Sequence, residues 1–194
     1  EKFVWADLSH AGIMQPCLHK RSQLLPMTLY DLATEFLAAE GLRAGMRRLA
    51  ASVCVITAVD SRGQRQAMTA TSVTSVSDAP ASLLVCVNGQ SSLHDILQSG
   101  GKFVVNVLSA HHADLSMLCA TGQAGENRFS LGEWDSAHGL PWLRDAQAVF
   151  FCDSAAQMTH GTHLILVGNV REVRVQSTPV NPLLYADGQY RQLN

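Results

Sequence analysis

Met68-Thr69-Ala70-Thr71-Ser72-Val73-Thr74-Ser75-Val76-Ser77-Asp78-Ala79-Pro80-Ala81-Ser82-Leu83-Leu84-Val85-Cys86-Val87-Asn88 is the stretch on which the fold turns. Its first ten residues are crowded with hydroxyls and β-branched side chains, which suit an exposed or ligand-facing strand and are more than a core requires. Asp78-Ala79-Pro80 then reads as a turn into an apolar strand over residues 82–87, and Asn88-Gly89-Gln90-Ser91-Ser92 breaks that strand.

The flanks continue the pattern. Upstream, residues 53–59 read as a buried strand and Asp60-Ser61-Arg62-Gly63-Gln64 as a hairpin turn. Downstream, Ser91 or Ser92 can cap a short helix to Leu97 that ends at Gly100-Gly101, followed by a strand over 102–108, a helix over 111–119 and a loop over 121–127. Strands then dominate, over 149–152, 162–175 and 183–186. Before them, Leu29, Leu32, Phe36, Leu37, Leu42, Met46 and Leu49 recur at helical spacing, with Thr28 and Asp31 as a capping box and Gly41 as a candidate break. Residues 1–27 show no period and read as an irregular arm, leaving 28–194 as one domain. Short strands with only three helices, unevenly interleaved, predict a mainly β, α+β fold built on an antiparallel barrel rather than a doubly wound sheet.

Composition excludes several classes. The 194 residues suit one domain plus an extension. Hydrophobic residues at 47 per cent and charged residues at 15 per cent rule out general disorder and supply one large core. Fourteen basic against sixteen acidic side chains give a net charge of −2 with no like-charge block, which argues against nucleic acid and anionic membrane as partners. So little surface charge predicts a face buried in an oligomer. Apolar runs of four or five residues are too short to cross a bilayer, and the first residues lack a secretory signal. Five cysteines at 17, 54, 86, 119 and 152, with no CxxC pair, suit reduced thiols in a cytoplasm. Cys54, Cys86 and Cys152 lie in apolar stretches, as small hydrophobes would.

Rossmann, P-loop, zincin and hydrolase-elbow motifs are all absent. His111-His112 and His160-Gly161-Thr162-His163 have no evident carboxylate or thiolate companion in the sequence, so no metal is expected, and His111 and His112 read as solvated. What remains is a set of neutral polar residues at strand ends. These suit a ligand that needs many hydrogen bonds and little countercharge, such as a flavin; hydroxyl-rich exposed strands without a ligand are the competing explanation.

The 68–88 stretch resembles the signature of the short-chain flavin reductases, the reductase partners of two-component flavin monooxygenases. Further matches follow in order: Gly101-Lys102-Phe103-Val104-Val105-Asn106-Val107-Leu108, Glu126-Asn127-Arg128-Phe129-Ser130, the run from Gly161-Thr162-His163 through Val170, and Pro182-Leu183-Leu184-Tyr185-Ala186-Asp187-Gly188-Gln189-Tyr190-Arg191. The resemblance covers residues 42–193. It implies a split antiparallel β-barrel of FMN-binding type with a few flanking helices. It also implies a homodimer that binds FMN or FAD near the subunit interface and reduces it with NADH or NADPH.

Carried over position by position, the resemblance lays the isoalloxazine along Thr69, Ala70, Thr71 and Ser72, with Ser75, Val76 and Ser77 nearby. Cys86, Val87 and Asn88 border the ribityl chain, and Ser91, Ser92 and His94 the phosphate. Phe103 and Asn106 help to close the site, and His163 and Tyr185 face the ring and the incoming nicotinamide. Many relatives carry Asp where this chain has Thr162, and Asn where it has Thr71, so the hydrogen bond to flavin N5 does not carry over directly. From the residues alone, His94 can be a surface histidine, His163 a core histidine, and Tyr185 a packing residue. Three functions stay open: a diffusible reductase that supplies reduced flavin to a monooxygenase, a flavin-dependent reductase of the corrinoid cob(II)yrinic acid a,c-diamide in cobalamin synthesis, and a non-catalytic flavin-binding protein.

Overall fold

The computed structural model describes residues 29–121, 125–177 and 179–193, with the backbone alone for 29–33. The arm over 1–27 and the cap at Thr28 lie outside the described residues. Helix α1 (Leu29–Met46) passes the division between Glu40 and Gly41 that separates the two units of the chain. It does not break at Gly41: a helix-interior glycine costs only about 1 kcal/mol relative to alanine.

From there the elements are β1 (Ala51–Ser52), β2 (Cys54–Val59), β3 (Arg65–Ala70), β4 (Val73–Asp78), β5 (Ala81–Asn88), α2 (His94–Gln98), β6 (Phe103–Val107) and α3 (Ala113–Ala120). They continue with β7 (Trp134–Ala137), β8 (Leu140–Leu143), β9 (Ala148–His160), β10 (His163–Val175), β11 (Leu184–Ala186) and β12 (Gln189–Arg191). Short 3₁₀ turns cover Ala110–His112 and Gly125–Phe129. Seven strands form one sheet in the order β3-β2-β6-β9-β10-β5-β4, antiparallel throughout. A three-stranded sheet, β1-β11-β12, and the β7-β8 hairpin complete the set.

The local chemistry explains the hairpins. Asp60 closes the β2-β3 turn by accepting the backbone N–H groups of Arg62 and Gln64 at 2.9 and 2.8 Å, and Gly63 there sits at φ +78°. β9 runs well past the expected residues 149–152. Its second half is exposed and mixes Ala155, Ala156 and Met158 with polar residues, so it carries no apolar period, and pairing with β10 from His163 opposite His160 holds it extended.

Alternation along the strands separates two cores. Cys54, Ile56 and Ala58 of β2 join Ala70 of β3, Val85 and Val87 of β5, Phe103 and Val105 of β6, Cys152 of β9 and Leu164 and Leu166 of β10 in one cluster. In a flat sheet β3 and β5 would stand five strand spacings apart, roughly 24 Å. Sharing one cluster requires the sheet to curl into a barrel around it. The outer-facing Val53, Val55, Val104, Val149 and Phe151 pack instead under α3, Phe129 and the β7-β8 hairpin.

The structure places Phe103 and Asn106 in these interiors, whereas the resemblance has them help to close the site. Phe103 is fully buried against Gly168, and Asn106 donates to the Val55 carbonyl at 3.0 Å while accepting the Leu143 N–H at 2.8 Å. Cys54 and Cys152 pack as expected, and burial pushes each thiol up to about 12.

A Cβ at position 168 would lie 2.5 Å from Phe103 Cζ and 3.0 Å from Cys152 Cβ, with no flexible atom to yield. Gly168→Ala is therefore expected to destabilise the fold by about 1–3 kcal/mol in urea unfolding, as overpacked cores do. An unchanged midpoint would show that the interior is looser than described.

Candidate functional site

The ladder of β3 with β2 ends at Ala70, and that of β4 with β5 begins at Val73. Thr71 and Ser72 fall between the two ladders, where their backbone groups are outside the strand pairing. The gap opens into a cleft of about 570 Å³ lined by Thr69, Ala70, Thr71, Asn88, Ser91 and Tyr185 from the expected set. Val53, Met68, Gln90, Cys119, Ala120, Thr121, Arg128 and Tyr190 complete its walls. Among them Arg128 is the single ionic side chain.

The hydroxyls are oriented by bonds to the scaffold. Thr69 Oγ1 donates to the Ser116 carbonyl at 2.6 Å, which ties β3 to α3. Ser72 Oγ donates to the Cys86 carbonyl at 3.2 Å and accepts the Cys86 N–H at 3.3 Å. Ser91 Oγ donates to Met68 Sδ at 3.1 Å and accepts the Leu93 N–H at 3.2 Å. Ser91 therefore closes a turn; α2 starts only at His94, with Leu93 as N-cap and no side-chain cap. At five residues it is a shorter helix than the capping pattern suggests. Tyr185 meets Tyr190 edge to face, 5.7 Å between ring centres, and Tyr190 donates to Ser116 Oγ at 2.8 Å.

The remaining expected residues separate. Ser75 and Ser77 line a second groove of about 390 Å³ along β4 and β5, with Val73, Phe150, Val170 and Val173; Val76 is half exposed on the same strand. Val87 is fully buried in the barrel and does not border the cleft, because the alternation of β5 turns it inward. Cys86, on the opposite face, is half-buried and held through its backbone by Ser72. Ser92 is exposed and accepts a hydrogen bond from Arg128 Nη1 at 3.3 Å. His94 is not among the cleft-lining residues and pairs with Asp95 at 3.0 Å. His163 is exposed, which excludes the core-histidine alternative. It lies directly opposite Asn88 across the β10-β5 ladder, and its Nδ1 is 3.0 Å from Thr162 Oγ1.

Arg128 and Tyr190 were not singled out from the sequence. Both stand inside quoted stretches, Glu126 to Ser130 and Pro182 to Arg191. An arginine beside an aromatic in a short polar segment gives no sign of being buried. The segment is fixed from outside, where Arg65 pairs with Glu126 and its guanidinium lies 4.2 Å over the Phe129 ring.

A flavin reductase like domain matches residues 46–194, and the chain belongs to that family. Among curated relatives, the reductase component of an FADH(2)-dependent resorcinol hydroxylase from Rhizobium sp. (strain MTP-10005) is 42% identical over 160 residues, covering 79% of this chain and 89% of the relative. An FMN reductase (NADH) RutF from Agrobacterium fabrum is 36% identical over 152 residues, covering 78% and 86%. Among solved structures, the NADH:FAD oxidoreductase SgcE6 of Streptomyces globisporus, in complex with NAD and FAD fragments, superposes with a TM-score of 0.74 at 26% identity over 80% of this chain and 93% of that one. The split-barrel expectation is borne out.

Away from the cleft, the fold supplies His111 and His112 with the carboxylate that the sequence hides. Asp145 Oδ2 stands 3.1 Å from His111 Nε2 and 3.0 Å from His112 Nε2. His112 is only 5% exposed, so it is not solvated as expected, whereas His111 is exposed. The three offer metal-ligand atoms within 4.8 Å of one another. His112 Nδ1, however, accepts the Ser109 N–H at 3.1 Å, so the neutral ring carries its proton on Nε2. Ligation through Nε2, the atom that faces Asp145, needs the reverse, a free Nε2 and a donating Nδ1–H. The cluster reads as a structural clasp.

That clasp has a pH signature. Burial holds His112 below the ordinary imidazole value, outweighing the nearby Asp145 carboxylate. Burial pushes Asp145 up, but the bonds from His111 and His112 outweigh it and hold the carboxyl below its usual range. Below about pH 6.5 the unfolded chain binds a proton at residue 112 that the folded chain refuses, so stability falls with acidification through that window. His112→Gln is expected to flatten the decline of the thermal midpoint between neutral pH and about pH 5.5. An identical slope in the variant would contradict the assignment.

Proposed function

We propose that this chain is a cytoplasmic flavin reductase that uses NADH, or NADPH, to reduce FMN or FAD and supplies the reduced flavin to a partner oxygenase. The observation that carries the reading is the cleft at the β3-β4 gap: neutral hydroxyls and unpaired strand-end backbone, two tyrosines, and one fixed cation, in a chain of this family. That donor set fits a flavin, whose ring needs many hydrogen bonds and whose phosphate needs positive charge. When bound, the flavin supplies the two-electron acceptor.

In this reading the chain binds, orients and excludes water, and needs no titrating catalyst. Thr69, Ala70, Thr71 and Ser72 lie along the ring, with backbone N–H groups of the gap available at its polar edge. Donors fixed beforehand cost no reorganisation when negative charge develops there. Asn88 faces the ribityl chain, and Ser91 and Ser92 the phosphate. Tyr185 and His163 receive the nicotinamide and hold the two rings in stacking distance, the proximity on which such a transfer depends. Met158, Val173 and Val175, exposed on β9 and β10, together with Val76 on β4, support burial against a second copy in a homodimer.

His163→Ala is expected to raise the Michaelis constant for NADH or lower turnover by about 10-fold, equivalent to roughly 1.4 kcal/mol, with free FMN as acceptor. Flavin affinity and the thermal midpoint should change little, since the imidazole is exposed. Steady-state NADH and NADPH oxidation with FMN and FAD reads this directly. If neither flavin supports oxidation in the wild type, the enzyme reading fails.

A further inference from the structure

A second pocket, of about 520 Å³, adjoins the cleft and shares Thr71 and Tyr185 with it. The end of α1, the loop after it and the turn between β11 and β12 form its other walls. These segments are tied where the Arg47 carbonyl accepts the Asp187 N–H at 2.8 Å. Gly188 sits at φ +75° in that turn, and the Arg47 guanidinium lies over it: a Cβ there would stand 3.4 Å from Nη1, 3.5 Å from Cζ and 3.8 Å from Nη2. The missing side chain is what seats the cation. Arg47 is exposed and makes no side-chain hydrogen bond or ion pair among the described residues. An arginine placed to cap the last carbonyls of α1 would spend its N–H groups on them. This one keeps its planar fork of donors for an acceptor outside the chain, and that fork matches phosphate oxygens in pairs.

The rest of the pocket completes the requirement. Arg43 lines it too, and Asp187 is the one carboxylate among the described residues that do, so the balance favours an anion. Met46 and Leu49, 55% and 59% exposed, put apolar surface beside the two cations, which suits a flat uncharged group. A polyanion joined to a flat heterocycle is the chemistry of an adenosine diphosphate group. NADH and FAD each carry one, and FMN carries none. Tyr185, where the reading above receives the nicotinamide, stands on the boundary between cleft and pocket. We propose that this pocket holds the adenosine diphosphate half of the nicotinamide donor, with Arg47 on the pyrophosphate and Met46 and Leu49 against the adenine. The inference rests on the flavin-reductase reading of the cleft and adds where the far half of the donor lies.

The test is steady-state oxidation of NADH and of reduced nicotinamide riboside, which lacks the adenosine diphosphate, by the wild type and Arg47→Ala. FMN serves as acceptor, so that NADH alone carries the group. Arg47→Ala is expected to raise the KM for NADH about 10-fold with kcat nearly unchanged, as loss of ground-state binding does, and to lower the preference for NADH over the riboside by the same factor. ADP should inhibit the wild type competitively against NADH, and the variant about 10-fold more weakly. The thermal midpoint should hold, since the side chain is exposed. Equal losses with NADH and the riboside would overturn the proposal, because they place the effect at the ring or on the fold. So would an unchanged KM for NADH with a raised KM for FAD as acceptor, which would give the pocket to the adenylate half of that flavin. A wild type that oxidises NADH but is indifferent to ADP fails the inference alone. If the wild type oxidises neither donor, the reductase reading falls and the inference with it.

Discussion

Phe103 occupies the middle of the barrel only because position 168, on the strand facing it, has no side chain. That contact lets the seven-stranded sheet curl until its first and sixth strands share a single core, and β9 and β10 accommodate the bend with register shifts at Val167/Gly168 and Val170/Glu172. Bulges of this kind increase local twist and bend the bulged strand. β3 keeps an open edge, pairing with β2 alone, but without the curl its end would stand far from β5. With it, the ends of β3 and β5 and the Tyr185 strand converge on one cleft.

The cleft is built by subtraction as much as by addition. Its ladders stop two residues short of each other at Thr71 and Ser72, so backbone polarity is presented where a continuous strand would have consumed it. The hydroxyls around the gap are tethered to α3, β5 and the Ser91 turn, which makes a polar surface rigid rather than merely wet. Among the described residues that line it, Arg128 alone brings charge, and it bonds Ser92. A transfer between two stacked rings needs this sort of preorganised, nearly neutral container more than it needs an acid or a base.

Strand identities were legible because β2, β5 and β6 are apolar enough to reveal themselves, and the Asp60 to Gln64 turn marks its hairpin plainly. The outer half of β9 was not legible, since an exposed mixture of small, apolar and polar residues held by a partner strand leaves no period. Thr69, Thr71 and Ser91 stand in polar runs that the sequence displays at strand ends, whereas Asn88 and Tyr185 were reached through the resemblance alone; the structure brings all five to one cleft. Phe103 and Asn106 stand in a motif that also marks the barrel's interior and the Asn106 bridge between β2 and the β7-β8 hairpin, which are as constrained as a ligand site. Ser75 and Ser77 share a run with Thr71, but the chain turns between them and sends them to another groove. Arg128, Tyr190 and Asp145 depend on contacts across tens of residues, and no local signal announces them.

The flavin is expected in the β3-β4 gap and not in the groove along β4 and β5. A crystal structure with FMN bound tests it most directly. The account predicts the ring system against Thr69, Ala70 and Thr71 with its phosphate beside Ser92 and Arg128. Electron density for the ring between Ser75, Ser77 and Val173, with the gap at Thr71 left to solvent, would contradict it.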